Sequence, residues 1–565
     1  MSFRTKVINR IIFLVFFLGV AYLKISKEFS GLPEGKGAEQ AVIAREFARG
    51  NGLTTNMTTP VTIIHMAKAN YQGNYFQNTP NVTYAPLYPA TLGVVFKVFG
   101  VDKYEREWTA EDTEIFTPDL IVVIYNLILM LGALAVFHHT IQKMFSGTIA
   151  GISVLLLTIS SYIWEVSFLG ASDMLVFFLF SISILFFTKA VENEEKSYLW
   201  GGLSIFFSLM TVLTDWIAIW VFVAHMVCIL FLKRPRIILQ LAGWGTFFAL
   251  IAIQIVINLK TTSSLLGISF IDFLATDENK DFLMGDRNAS LSLRVIQNIL
   301  SNYLSSFNNS LTSFASTQAG FFLAPCFLLC CFNNYVKLGL NQIKWSLLTF
   351  SVFLIIGMGS VTPNPDEIHS GLILFIIAPL TIAFTVAFIV SQVSKISRSK
   401  ETAERMVAGV LLVIGSIPFA NNTTQTIRTL DKEFVLPETY AMLQELAGQK
   451  VVSTDTPALT AWYADVKTML IPNSTDSLKL FSQVAKAQGT PISGIYLTER
   501  SFTKRHIASE FGRYNQLGIL TTYSLNLKID KSLLPKYGAM LDQFGLDSPT
   551  QIVTFNRMYF PYRYE

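Results

Sequence analysis

The sequence predicts a mainly α, polytopic membrane protein of about eleven transmembrane helices carrying a C-terminal extracytoplasmic α/β domain. Three observations predict it. Hydrophobic residues make up 52% of the 565 positions while charged residues make up only 15%, well below the roughly 25% of a soluble domain. The apolar residues gather in long runs. Lys and Arg fall on alternate loops between those runs.

This composition, with a mean hydropathy of +0.46, excludes a disordered chain and an ordinary soluble enzyme. A net charge of +4 is too small and too spread out for a nucleic-acid binder, and basic residues in a membrane protein serve topology. The cysteines, Cys228, Cys326, Cys330 and Cys331, all lie in apolar runs, so a disulfide framework is not expected.

About 20 apolar residues cross a bilayer as a helix. The runs at 11–26, 118–140, 147–168, 174–189, 198–214, 216–232, 237–258, 312–332, 345–361, 370–391 and 405–420 are read as spans. The first lacks a small-residue cleavage site and reads as a retained anchor. Arg4, Lys6, Arg10, Lys143, Lys189, Lys196, Lys233, Arg234, Arg236, Lys337, Lys344, Lys395, Arg398, Lys400 and Arg405 then share one side, and the loops at 168–173, 215 and 362–369 have no Lys or Arg. The positive-inside rule puts the N-terminus in the cytoplasm and the C-terminus outside. The run 85–100 would break this bias as a span, so it is read as a helix lying on the outer membrane surface.

Residues 1–420 therefore form the transmembrane domain, with large outer loops at 27–117 and 259–311, and residues 421–565 form the outer domain. Loops of this length point to function on the outer side. In the tail, Val451-Val-Ser-Thr and Met469-Leu-Ile are short apolar runs, whereas Ile492–Leu497 and Gln551–Phe555 look like strands. They alternate with helical stretches at 457–463 and 476–487, which argues a small α/β domain.

Four segments carry a family resemblance: Glu39-Gln-Ala-Val-Ile-Ala-Arg-Glu-Phe-Ala-Arg-Gly-Asn-Gly-Leu-Thr-Thr, Tyr84-Ala-Pro-Leu-Tyr-Pro, Ala171-Ser-Asp-Met-Leu, and Val452-Ser-Thr-Asp-Thr-Pro-Ala-Leu-Thr-Ala-Trp-Tyr. Together they resemble the bacterial branch of the membrane glycosyltransferases with the GT-C fold, which includes the lipid A aminoarabinose transferases and the protein O-mannosyltransferases. The resemblance implies a hexosyl- or pentosyltransferase in the bacterial cytoplasmic membrane. It would move a sugar from a polyprenyl-phosphate carrier to a lipid, glycan or protein acceptor on the outer face. Such chemistry needs a carboxylate to orient or deprotonate the acceptor and a cation for the lipid phosphate.

The sequence departs from the family pattern in three places. The leading carboxylate of the first loop is expected eight or nine residues before Arg45, where Lys36 and Gly37 stand. Glu34 and Glu39 are the nearest acids, and positions 36 and 39 share a helix face. A second acid expected near Tyr84-Ala85-Pro86 is also absent. Where relatives often carry a cation, Thr214-Asp215-Trp216 supplies an acid. Lys36 and Asp215 are therefore expected as a swapped charge pair.

The catalytic candidates are Glu39, Asp173 and Glu165, because ionisable groups at membrane depth are costly. Asp173 alternatively reads as an N-cap of its span, and Glu165 as a buried partner of Trp164 or a backbone amide. Substrate-binding candidates are Lys36, Arg45, Tyr84, Asp215 and His369, with Lys260, Arg287 and Arg294 as the cations for the lipid phosphate. Arg45 also reads as a brace of the first loop. His225, mid-span, reads as an interhelical hydrogen-bond partner. No cofactor is indicated, and although His65 and His369 are metal-type residues, no spacing supports a divalent site. Asn-x-Ser/Thr triplets at Asn56, Asn81, Asn288, Asn422 and Asn473 all fall in outer segments. The reading in a different class is a catalytically reduced GT-C-like scaffold or binding protein, which the missing carboxylate favours. A transporter is disfavoured, with no inverted repeat or broken helix pair evident.

Overall fold

The computed structural model describes residues 3–103, 115–232, 236–263, 323–335, 338–359, 375–397, 399–428, 437–472, 475–498, 550–551 and 557–559. The chain divides into two compact units: Met1–Gly31, Ile115–Leu250 and Leu300–Val435 in the first, and Leu32–Glu114, Ile251–Ile299 and Leu436–Glu565 in the second.

The first unit is helical. Its helices are α1 (Phe3–Lys27), α5 (Thr117–Met144), α6 (Gly147–Thr158), α7 (Ser161–Phe168), α8 (Asp173–Glu192), α9 (Ser197–Thr214), α10 (Ile219–Ile229), most of α11 (Arg236–Thr262), α12 (Leu323–Cys331), α13 (Leu338–Gly359), α14 (Ala378–Ser394) and α15 (Lys400–Arg428). Among the described residues, α5, α8, α9, α11 and Gly339–Gly357 within α13 are each long and apolar enough to cross a membrane. The chain is a membrane-embedded, mainly helical protein. Within the expected span 216–232 the chain first makes a 3-10 turn, Trp216–Ala218, and then continues as α10, with Asp215 accepting from Ile217 N–H at 3.1 Å at the start of the turn. Of the expected span 312–332, only 323–332 lies within the described residues.

The expected span 147–168 is broken: α6 and α7 meet at 57°. Apolar composition continues through the bend, so the run gave no sign of it. The break frees backbone groups that a membrane interior penalises, and the Trp164 indole N–H donates to Thr158 O at 2.8 Å across it.

Aromatic rings fill the helical core. Phe137 of α5 meets Phe177 of α8 at 5.4 Å between ring centroids, and Phe180 meets Phe350 of α13 at 5.4 Å. Polar contacts also join the helices. Ser183 Oγ donates to Ser204 O (2.8 Å) and Ser204 Oγ to Ser183 O (2.7 Å), with His225 Nε2 2.9 Å from Ser204 Oγ. His225 thus joins α10 to the α8–α9 pair, as an interhelical partner should. Lys344, expected as a loop charge, is buried in α13. Its Nζ donates to Cys331 O (2.9 Å) and Asn333 O (2.6 Å), placing a cation at the C-terminal end of α12. The four cysteines are free thiols.

The second unit is α/β. Its helices are α2 (Lys36–Ala48), α3 (Pro60–Lys68), α4 (Leu87–Phe99), the end of α11, α16 (Pro437–Ala447), α17 (Pro457–Ala464) and α18 (Thr475–Ala487). Its strands are β1 (Thr54–Thr55), β2 (Met57–Thr58), β3 (Thr79–Pro80), β4 (Val451–Thr454), β5 (Lys467–Leu470), β6 (Ile492–Leu497), β7 (Thr550–Gln551) and β8 (Arg557–Tyr559). The main sheet has the order β2-β5-β4-β6-β8-β7, with β2, β5, β4 and β6 parallel and β8 and β7 antiparallel.

The unit is not made from the tail alone. Strand β2 comes from the first loop and pairs Met57 with Thr468 and Thr58 with Met469. Residues 32–103, expected as a loop of a 1–420 domain, are therefore part of the same unit as the tail. Alternation along the strands sorts the core. Val451, Ile495 and Leu497 share one cluster with Ile63 and Phe76 of the first loop and Phe481 of α18. Val452 and Tyr496 share the other with Leu443 of α16. This is the period-2 pattern of a sheet covered on both faces.

Helix α4 has 13 residues, about 20 Å at 1.5 Å per residue, against roughly 30 Å of hydrocarbon. It buries Tyr88, Leu92 and Phe96 and exposes Val94, Val98 and Phe99. It packs on α2 at Gly93, where a Cβ would lie 2.8 Å from Ala44 O.

Candidate functional site

In the second unit, the candidate residues gather on helix α2. Gly35 precedes it at φ 121°, a backbone conformation only glycine adopts without strain. Lys36 and Glu39, one turn apart, are both half-buried. Tyr84, from the segment leading into α4, donates its hydroxyl to Glu39 Oε2 at 2.6 Å. Asn81 shapes that segment: its side-chain oxygen accepts from Tyr84 N–H (2.9 Å) and its amide donates to Tyr84 O (2.8 Å). Two segments of the family resemblance thus meet at one carboxylate.

Arg45 lies further along α2, 4% exposed. It donates to Trp462 O (2.8 Å) and Ala461 O (2.7 Å), pairs with Asp465 at 2.9 Å and sits 5.0 Å from the Trp462 ring centroid. The expectation that Arg45 binds substrate is corrected, and its role is that of a brace. Every one of these partners belongs to the tail segment around α17, and burial leaves no face for substrate. Burial pushes the Arg45 pKa down, only partly countered by the Asp465 charge. For Asp465, burial opposes ionisation, but the charge of Arg45 and the hydrogen bonds and charge of Arg49 outweigh it and hold the carboxyl at about 2.

Glu34 has a structural role. Its carboxylate accepts from Ala458 N–H (3.1 Å) and Leu459 N–H (2.8 Å), the free amides at the start of α17. Of the two nearest acids in the first loop, Glu34 thus caps a helix and Glu39 faces Tyr84.

In the first unit, α5, α6–α7, α8 and α9 follow one another through short connections at 145–146, 169–172 and 193–196, so they alternate in direction. One end of this bundle collects Asp119, Glu165, Asp173 and Asp215, and the other collects Lys143, Lys189 and Lys196. Asp173 is 4% exposed and is the first helical residue of α8. The N-cap is Ser172, which corrects the reading of Asp173 as the cap. Ser172 Oγ donates to Asp215 Oδ2 at 3.1 Å, and the buried Asn126 of α5 donates to Ser167 O at 3.2 Å. These contacts fix the loop from which Asp173 projects. Glu165 is exposed and does not partner the Trp164 indole, which is engaged by Thr158 O.

Sequence reasoning missed Asp119, fully buried in the first turn of α5. After Thr117-Pro118 it reads only as a helix-start acid. Lys260 is exposed in the last turn of α11, within the helix and not in the loop expected after 258. His65 Nδ1 lies 3.1 Å from Thr262 O, so that nitrogen carries the proton. Burial lowers the His65 pKa. Arg287, Arg294 and His369 lie outside the described residues. Among the described residues, no group of three or more His, Cys, Asp or Glu side chains is placed to hold a metal ion.

No protein-family model matches the chain, and no curated protein matches it. Solved structures do. ArnT from Cupriavidus metallidurans bound to undecaprenyl phosphate aligns over 97% of both chains at 10% identity and a TM-score of 0.47. AglB from Archaeoglobus fulgidus, in complex with an inhibitory peptide and a dolichol-phosphate, aligns over 85% of this chain and 71% of its own at 9% identity and 0.48. The Archaeoglobus fulgidus oligosaccharyltransferase in complex with zinc and sulfate aligns over 92% of this chain and 70% of its own at 11% identity and 0.50. The chain has the GT-C fold. At this identity the likeness concerns the fold alone, which is the fold that the four sequence segments implied.

Proposed function

We propose that the protein is an integral-membrane glycosyltransferase of eleven crossings, with a cytoplasmic N-terminus and an extracytoplasmic C-terminus in the bacterial inner membrane. It transfers a sugar from a polyprenyl-phosphate donor to a lipid, glycan or protein acceptor on the outer face. The observation that carries this reading is the Tyr84–Glu39 hydrogen bond at 2.6 Å. It orients a half-buried carboxylate on the first-loop helix.

In this mechanism Glu39 takes the proton from the acceptor nucleophile. The nucleophile bonds to the sugar's anomeric carbon as the bond from that carbon to the phosphate oxygen breaks, which inverts the centre. Polyprenyl phosphate leaves with the electron pair and needs no strong acid. Asp173, Glu165 and Asp215, at one end of the helical bundle, and Lys36, on α2, are the further residues assigned to the reaction. Lys260, with Arg287 and Arg294, is assigned to the lipid phosphate, a role its exposed position at the end of α11 suits.

The test is transfer of label from a polyprenyl-phosphate sugar pool by purified protein, with Glu39→Gln and Asp173→Asn as variants. Undiminished turnover in both variants would falsify the site assignment. A second reading, a scaffold that keeps the fold without the chemistry, is favoured by one observation: Glu34 is committed to capping α17 and Lys36 stands where a leading acid is expected. Absence of transfer by the unmodified protein across donor pools selects that reading.

A further inference from the structure

A second polar site lies in the α/β unit, away from Glu39. A half-open cleft of about 340 Å³ is formed by the C-terminal end of α2, the segments around β2 and β3, the turn between α16 and β4, and the residues at the start of β5. Its size falls within the range of small-molecule sites, roughly 300–1,000 Å³. Five of its eleven lining residues are carboxamides: Asn51, Asn56, Gln77, Asn78 and Gln449.

Chemistry narrows the ligand. The charged lining residues, Glu46, Arg49, Asp465 and Lys467, balance to zero. Both cations are engaged: Arg49 holds Glu46 and Asp465, and Lys467 Nζ donates to Gln449 O (3.1 Å) and Gln449 Oε1 (3.3 Å). Arg49 is thus neutralised by carboxylates and one lysine remains, whereas a phosphate or carboxylate site gathers several charged donors. Val466 is the single apolar side chain in the lining and no aromatic residue joins it, so a lipid tail or an apolar peptide side chain finds no wall. Carboxamides that both donate and accept suit vicinal hydroxyls.

We propose that this cleft is a binding subsite for a neutral, polyhydroxylated ligand, namely a glycan chain. As the place where a glycan acceptor is held, it rests on the glycosyltransferase reading; the binding itself does not. Glu46 of the cleft stands seven residues after Glu39 on α2, two turns along one face, or about 10 Å. A glycan held in the cleft therefore presents to Glu39 a unit further along its chain, which favours oligosaccharides over single sugars. With no ring to stack on, affinity is expected to be weak, roughly millimolar.

The test is saturation-transfer NMR on the purified full-length protein in lipid nanodiscs, with cellotetraose, maltotetraose, mannotetraose, chitotetraose, glucose and inorganic phosphate as probes. The expected result is saturation transfer to at least one tetrasaccharide, stronger than to glucose, and reduced at least fivefold in the Gln77→Ala/Gln449→Ala variant. Both side chains are exposed, so the variant's melting temperature should stay within about 2 °C of the parent. No transfer to any tetrasaccharide, transfer unchanged in the double variant, or transfer that phosphate abolishes by competition would each overturn the proposal. The two readings fail separately. Glycan binding without Glu39-dependent sugar transfer removes the catalytic reading only, whereas Glu39-dependent transfer without glycan binding removes this one only.

Discussion

The Tyr84 hydroxyl donates to Glu39 Oε2 at 2.6 Å, joining the start of α2 to the segment that leads into α4. The bond fixes one carboxylate oxygen and directs the other. If Glu39 is the base, Glu39→Gln should lower kcat by about 10²–10⁴-fold. Tyr84→Phe keeps the carboxylate but removes this orienting hydrogen bond, and should lower kcat about 5–50-fold with KM for the lipid donor unchanged. Steady-state label transfer measures both, and a melting temperature within about 2 °C of the parent separates the effect from unfolding.

The junction of Arg45 and Asp465 gives a pH signature. Asp465 sits in the left-handed region at φ 52°, which Asn tolerates, and its side chain is 31% exposed. Its folded pKa of about 2 lies below the ordinary carboxylate value. The stabilisation is therefore complete above about pH 4–5 and is lost as pH falls through 2. Allowing for solvent screening, it amounts to about 1–2 kcal/mol. Asp465→Asn should melt earlier at pH 7 and lose less further stability between pH 5 and pH 2 than the parent, as followed by thermal scans in nanodiscs.

Glu34 reaches about 420 residues along the chain to cap α17 with two hydrogen bonds. Glu34→Ala leaves two amides of the first turn open and should cost about 1–2 kcal/mol. Glu34→Gln keeps an acceptor but loses the charge that suits a helix N-terminus and should cost about half as much. Hydrogen exchange in the peptide covering 456–464 should quicken in the order parent, Gln, Ala.

How far the sequence disclosed this arrangement depends on the range of the forces involved. Apolar runs and their Lys/Arg flanks are local, so α5, α8, α9 and α11 lie where hydropathy places them. The tail strands β4 and β6 follow from short runs of suitable residues for the same reason. The bend after Thr158 was hidden because Ile159 keeps the run apolar while the compensating group, Trp164, looks like another core residue. Pairing of Met57 with Thr468 was hidden because a two-residue strand has no periodicity and its partner is about 410 residues away. At the candidate site, Glu39 and Tyr84 were singled out by separate segments, but only the fold joins them. Asp119 went unnoticed because an acid after Thr-Pro already has a sufficient local explanation.

Gly93 sets the spacing of α4 on α2. A Cβ there would lie 2.6 Å from Phe47 Cδ1 and 2.8 Å from Ala44 O. The phenyl ring can turn aside, but the backbone oxygen moves only with the helix. Gly93→Ala should therefore destabilise the protein by about 1–3 kcal/mol, despite the better helix propensity of alanine. It should also lower transfer activity by displacing α2, while Gly100→Ala is not an equivalent control because Gly100 has φ 73°. Gly202→Ala is the suitable control, with nothing within 4 Å of its added Cβ.

The outward-facing reading rests on the opposed ends of the helical bundle, Asp119, Asp173 and Asp215 at one and Lys143, Lys189 and Lys196 at the other. Basic residues are retained on the cytoplasmic side, so the acidic end must face outward if the chain obeys that rule. Two exposed positions sample the alternatives: Lys103, just after α4, and Asn193, between α8 and α9. In intact cells expressing single substitutions, a membrane-impermeant maleimide should label Lys103→Cys and leave Asn193→Cys unlabelled until the membrane is opened. The native thiols give a low background, since Cys228, Cys330 and Cys331 are buried and Cys326 is half-buried. The reverse labelling pattern would turn the carboxylates toward the cytosol and remove the outer-face acceptor from the proposed reaction.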